Sequence, residues 1–95
     1  MSVLVLPNRT LSWNAVAVEA LTTGDFEPLI TAEPSCDIVL LGCGGRMHLP
    51  PETLRTDLRA HGISIDPMDT GAACRTFNVL LAEERACAAA LIAVE

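Results

Sequence analysis

Apolar positions along the first half of the chain repeat with the two-residue period of strands more than with the period of helices. Ser2 to Leu6 reads SVLVL, a β-branched run that stops at Pro7-Asn8, a turn signal. A second extended stretch, Leu11 to Val18, follows at hairpin distance, so the pattern predicts an N-terminal β-hairpin. From Thr22 the chain turns through Gly24, and Glu27 to Ala32 suits a short helix before Pro34. Asp37 to Leu41 is then a nearly unbroken apolar run that ends in Gly42. A strand apolar on both faces belongs in the middle of a sheet, with parallel neighbours.

The second half changes period. Pro50-Pro51 opens a helix, because a missing N–H costs nothing in the first turn. Leu54 and Leu58, four apart, form its buried stripe, and Arg55 and Arg59 share an adjacent face. Gly62 is placed to end that helix in the left-handed conformation. Ile63 to Ile65 reads as a short strand broken by Pro67. A second helix is expected from Thr70 to about Glu84, with Ala73, Phe77, Leu80, Leu81 and Glu84 at helical spacing. The tail from Arg85 to Val94 stays ambiguous, since its alanines favour helix while Leu-Ile-Ala-Val suits a buried strand. The order β–α–β–α from Ile38 to Glu84 predicts an α/β fold in layers.

Composition sharpens this picture. At 95 residues the chain is expected to form a single domain over 1–95, and at 51% hydrophobic but 3% aromatic its core must be Ala, Val, Leu and Ile. Small side chains of that kind let helices approach a sheet closely. The formal charge of −6, with every cation an arginine, disfavours nucleic acid and anionic lipid as partners. The longest apolar run, Ala86 to Val94, spans nine residues, well short of the roughly 20 a spanning helix needs. No charged leader precedes the first strand, so a soluble, cytoplasmic chain without membrane insertion is the expectation. Cys36, Cys43, Cys74 and Cys87 form no CxxC pair, and His48 and His61 complete no zinc-finger spacing. No metal and no cofactor is expected.

Four places could carry chemistry. Asp69-Thr70-Gly71 spells the aspartic-protease loop, but an apolar strand feeds that loop, whereas Asp66-Pro67-Met68 stands here and a helix pattern follows. Gly42-Cys43-Gly44-Gly45-Arg46 follows a buried strand as a dinucleotide loop does, yet Met47 replaces the third glycine of GxGxxG and the helix starts only after Pro51. A turn needing positive φ explains the same glycines. Cys43 or Cys74 could serve as a nucleophile if free N–H groups favoured the thiolate. Finally, the Thr70 helix start offers Thr70 or Asp69 as a cap, with Gly71, Arg75 and Asn78 on one face opposite the apolar stripe. That face is either an ordinary solvated one or a polar notch whose N–H groups and Arg75 meet an anion or a partner's carboxylate.

The stretches LLGCGG, GISIDPMDTGAACRTFNVL and RACAAALIAV together resemble a small uncharacterised α/β family of bacteria, archaea and mitochondria. That family includes a mitochondrial complex I assembly factor and an adipogenesis-associated relative. The resemblance covers about the last 60 residues closely and Val3 to Trp13 more loosely. It implies three layers, with a mixed central β-sheet between helices, and makes Ala86 to Val94 a strand. It also implies no established enzymatic activity, no known cofactor, and a role in helping a respiratory membrane complex assemble. Bacterial members often neighbour protein-export genes. Thr70, Arg75 and Asn78 fall at positions the family tends to share, while Phe77 stands where many members have tyrosine. Members usually carry a further N-terminal β segment before the strand matching Ser2 to Leu6, so an open edge is expected there, suited to a homodimer or a partner's strand.

The expected function is therefore a non-catalytic, protein-binding or assembly-factor-like domain linked to respiratory or membrane-complex biogenesis. Its candidate notch comprises Gly42, Gly44, Gly45, Arg46, Thr70, Gly71, Arg75 and Asn78. The alternative is a small enzyme or an anion- or nucleotide-binding protein using the glycine loop and the Thr70 helix start.

Overall fold

The computed structural model describes residues 2–6, 9–13, 17–31 and 36–92. Five strands form one mixed sheet in the order β2-β1-β5-β3-β4, where β1 is Ser2–Leu6, β2 Arg9–Trp13, β3 Ile38–Cys43, β4 Ser64–Met68 and β5 Cys87–Ile92. β1 runs antiparallel to both β2 and β5, and β3 runs parallel to both β4 and β5. The hairpin and the buried parallel strand agree with the sequence patterns, and the mixed sheet with what the family resemblance implies. β1 is not an open edge. Leu4 pairs with Leu11 on one side and with Ala90 on the other, so the sheet ends at β2 and β4 instead.

Several boundaries differ for physical reasons. Strand β2 lies at Arg9–Trp13 rather than Leu11 to Val18, because Val18–Ala20 closes a 3₁₀ turn that buries Val18. A second 3₁₀ turn, Thr23–Phe26, precedes helix α1, Glu27–Ile30. Pro67 does not break β4 but lies within it, opposite Leu41. It is tolerated because β4 is an edge strand, where a missing N–H need not face a neighbour. The glycine Gly42 belongs to β3, which continues to Cys43. Strand β5 resolves the ambiguous tail in favour of strand. The turn at Pro7-Asn8, the stretch 14–16, Ala32, Pro34 and the end of the tail at Ala93-Val94 lie outside the described residues.

Helices cover both faces of the sheet. On one face, Leu54 and Leu58 of helix α2, Glu52–Ala60, join Leu21, Phe26 and Leu29 over Leu4, Val39, Leu41, Ala88 and Ala90. Fully burying a side chain such as Leu58 stabilises the fold by roughly 1.5–3 kcal/mol. The Trp13 indole N–H donates to the Asp25 carbonyl at 2.9 Å, and its ring meets Phe26 edge-on at 5.4 Å, which fastens the hairpin to the 3₁₀ turn. On the other face, Ala73 and Phe77 of helix α3, Thr70–Ala82, pack on Leu40, Cys87 and Ala89. Leu80 packs on the same cluster, whereas Leu81, expected in the core stripe, is exposed. Ala88, Ala89 and Ala90 are wholly buried in β5, so the alanine-rich tail is what lets both helical layers lie close to the middle of the sheet.

Candidate functional site

The two sequence-predicted segments meet at the C-terminal end of β3. Its last turn leads into Gly44, at φ 90°, the one glycine of the loop whose backbone conformation requires the residue type. Gly42 is needed for a different reason. A Cβ there would lie 3.0 Å from Leu91 Cδ2, Thr70 Cα and Thr70 Oγ1. The glycine thus lets β3 approach the first residue of α3 closely. Gly45 would accommodate a side chain freely, and Gly45 and Arg46 both stand exposed.

Thr70 is the rivet of this junction rather than the helix cap. Its hydroxyl donates to the Ile92 carbonyl at 2.7 Å and accepts the Gly44 N–H at 2.9 Å. Its own N–H donates to the Gly44 carbonyl at 2.9 Å. The cap is Asp69, whose carboxylate accepts the Ala72 N–H at 2.9 Å while its carbonyl accepts the Ala73 N–H. Asp69-Thr70-Gly71 is therefore a helix entrance between an edge strand and a core helix. The Asp69 carboxylate also places a negative charge at the positive end of the helix dipole.

Gly71, Arg75 and Asn78 are all exposed and follow one face of α3. A Cβ on Gly71 would lie 3.3 Å from Asp69 Oδ1 and 3.4 Å from Arg75 Nη1, so the guanidinium folds back over the first turn. Hydrogen bonds thus join Gly44 to Thr70, and close packing joins Gly42 to the same residue. Among the described residues, no hydrogen bond ties Gly45, Arg46 or Asn78 into that junction. The Ile92 carbonyl and the Leu91 side chain complete the junction, and no sequence motif points to either. Nothing in a short alanine-rich tail signals which of its carbonyls faces a helix start.

The thiols divide by position. Cys43 is buried, and the carbonyls of His48 at 3.4 Å and Leu41 at 3.5 Å are the two acceptors within reach of its one S–H, so His48 meets it through backbone. Cys74 is exposed on α3. Burial raises the Cys36 thiol above its ordinary value, with smaller contributions from Cys87 and the Asp37 carboxylate. Burial also raises Cys87, partly offset by Arg85 and reinforced by Asp37. Cys36 and Cys87 belong to clusters on opposite faces of the sheet. Among the described residues no three His, Cys, Asp or Glu side chains group as metal ligands, and no helix is long and apolar enough to cross a membrane.

Against known proteins, residues 1–92 match the model of a family described as a protein of unknown function (DUF498/DUF598). The bovine NADH dehydrogenase [ubiquinone] 1 alpha subcomplex assembly factor 3 is 38% identical over 89 residues, covering 93% of this chain and 48% of the relative. An uncharacterised Rhodobacter capsulatus protein is 41% identical over 68 residues, covering 72% of this chain and 55% of the relative. The chain spans about half the length of the curated relatives it matches. Among solved structures, an outer membrane protein from Bartonella henselae superposes with a TM-score of 0.89 at 39% identity, covering 99% of this chain and 79% of that one. A Bordetella pertussis Mth938-like domain shares the fold at a TM-score of 0.81 and 24% identity, over 96% of this chain and 72% of that one. With nearly its whole length matched by the family model, the chain belongs to the DUF498/DUF598 family.

Proposed function

We propose that this chain is a non-catalytic protein-binding domain of the assembly-factor kind, acting in the biogenesis of a respiratory or other membrane complex. The observation that carries the reading is the 38% identity, over 93% of this chain, to a relative named as a complex I assembly factor. The contact edge is the rim where the β3 loop meets α3: Gly42, Gly44, Gly45, Arg46, Thr70, Gly71, Arg75 and Asn78. Arg75 and Asn78 supply the exposed polar groups there, and Gly42, Gly44 and Thr70 fix the backbone that presents them. We further propose that residues 1–95 act as one domain and work in the cytoplasm.

Affinity capture from cell extract under gentle crosslinking tests the reading. A protein partner retained by the unaltered chain and released by Arg75→Glu with Asn78→Ala is the expected result. Capture of no protein above background sinks it. Sedimentation at several concentrations then shows whether the captured partner is a second copy of the chain.

A small-ligand reading of the same rim draws on the Arg75 guanidinium, which is in no hydrogen bond or ion pair among the described residues. In that case phosphates, nucleotides or carboxylates raise the melting temperature, and Arg75→Ala abolishes the rise. The donors already used by the chain itself, at Gly44 and Ala72, make a protein contact the better fit.

A further inference from the structure

Across the sheet from α3, helix α2 borders a depression of about 360 Å³ lined by Leu49, Pro50, Glu52, Arg55, Thr56 and Arg59. Arg55 and Arg59 stand four residues apart, so their side chains leave the helix one above the other. Among the described residues neither guanidinium makes a hydrogen bond or an ion pair. In a chain of net charge −6, two unengaged arginines face this hollow against the single carboxylate of Glu52. One apolar side chain stands out on a mostly polar rim: Leu49 is 67% exposed. Such a leucine, beside two free guanidiniums, presents the paired apolar and cationic surface that an acidic side chain next to an apolar one would complete.

The local backbone disfavours a phosphate group as the occupant. Phosphate sites at helix starts use free N–H groups, and α2 offers fewer of them than an ordinary helix start because its N-cap, Pro51, and the preceding Pro50 have none. Glu52, the first residue of the helix, further repels a dianion at that end. A carboxylate carries half the charge and suits the planar guanidinium fork through two parallel hydrogen bonds. Asp57 does not compete for the arginines, since its carboxylate accepts the Thr23 hydroxyl at 2.9 Å on the other flank of the helix.

We propose that this depression binds an acidic peptide segment of a partner protein, with a carboxylate between Arg55 and Arg59 and a neighbouring apolar side chain on the exposed Leu49. The proposal rests on the protein-binding reading and names a second contact surface for it, on the opposite side of the sheet from the Thr70 rim.

The test is a titration of the isotope-labelled full chain, followed by amide chemical shifts, with the capped peptide acetyl-Leu-Glu-Glu-Leu-Glu-Leu-amide. Parallel titrations use its Gln counterpart and inorganic phosphate. Saturable shifts confined to residues 49–59 are expected. Affinity should fall by about tenfold or more, as expected for loss of charge-assisted hydrogen bonds, in Arg55→Gln/Arg59→Gln and with the Gln peptide. Arg55→Lys/Arg59→Lys, which keeps charge and loses the fork, should fall between and carries the comparison if the Gln variant does not fold. Absence of saturable shifts, shifts elsewhere, equal binding of the Gln peptide, or equal response to phosphate each overturns the proposal. If capture from extract yields a partner that the Gln variant still holds, this site fails while the protein-binding reading stands. If capture yields none, that reading fails whatever the peptide does.

Discussion

The Thr70 hydroxyl donates to the Ile92 carbonyl at 2.7 Å, so one side chain at the first turn of α3 closes the end of β5. The same oxygen accepts the N–H of buried Gly44, which ties the β3 loop to both. Thr70→Val keeps the volume, removes both bonds and leaves the Gly44 N–H and Ile92 carbonyl without this partner. It should cost about 1–3 kcal/mol. Thr70→Ser keeps the hydroxyl and should cost less than half as much. Urea unfolding of the two variants checks this, and equal losses would show that the methyl group matters and the hydroxyl does not.

Gly42, near the end of β3, and Gly45, in the loop that follows it, should respond oppositely to alanine. A Cβ at Gly42 meets Leu91 Cδ2, which can rotate, and Thr70 Cα, which the hydrogen bonds above hold in place. Gly42→Ala should therefore destabilise by about 1–3 kcal/mol, as overpacking does. At Gly45 nothing lies within 4 Å of the added atom and φ is not positive, so Gly45→Ala should be neutral or slightly stabilising. Thermal unfolding separates the two outcomes.

These glycines also show where sequence reasoning reaches and where it stops. The run IVLL, the leucine pair Leu54–Leu58 and the stripe Ala73–Phe77–Leu80 announce their elements, because burial imposes a period on the residues themselves. The GCGG loop announces a tight turn, but not that Gly44 alone serves φ while Gly42 serves packing. That distinction depends on Leu91 and Thr70, both distant in sequence. Pro67 misleads for a similar reason: whether proline breaks a strand depends on which edge of the sheet that strand occupies. The rim at Thr70 was legible as a helix start, yet its link to Ile92 was not, since a backbone carbonyl leaves no mark in the sequence. Arg55 and Arg59 were legible as one face of α2, and the hollow beside them was not, because it depends on how residues 49–51 enter the helix.

Alkaline pH should destabilise the fold through Cys36 and Cys87. Burial holds both thiols above their ordinary value of 9.0, so the folded chain keeps protons that the unfolded chain releases. For a group whose folded pKa is raised, the contribution is fully present below the unfolded pKa and is lost as pH rises through the folded one. Stability from these groups should thus hold steady up to about pH 8 and decline from about pH 9 upward, where the unfolded thiols ionise. Urea midpoints between pH 7 and pH 10 measure the slope. Cys36→Ala should flatten the decline. An unchanged slope in Cys36→Ala and Cys87→Ala alike would assign the effect to other groups.

Glu84 should be a site of stored backbone strain, relieved by glycine. Helices α2 and α3 end in the same hydrogen-bond pattern. The Gly62 N–H donates to the Arg59 carbonyl and Ile63 N–H to Leu58, while Glu84 N–H donates to Leu81 and Arg85 N–H to Leu80. Both ends place one residue at positive φ, 77° at Gly62 and 58° at Glu84. Only the first has the residue type that takes this conformation freely. A side chain there costs about 1–2 kcal/mol, and glycine's greater freedom in the unfolded chain returns about 0.4–1 kcal/mol of that. Glu84→Gly should therefore stabilise by about 0.5–1 kcal/mol, raising the melting temperature by roughly 2–8 °C for a chain of this size. Gly62→Ala, the reverse change at the matching position, should destabilise by a similar amount. If Glu84→Gly lowers the melting temperature, α3 does not end in this left-handed turn in solution, and the carboxylate of Glu84 contributes more than its backbone costs.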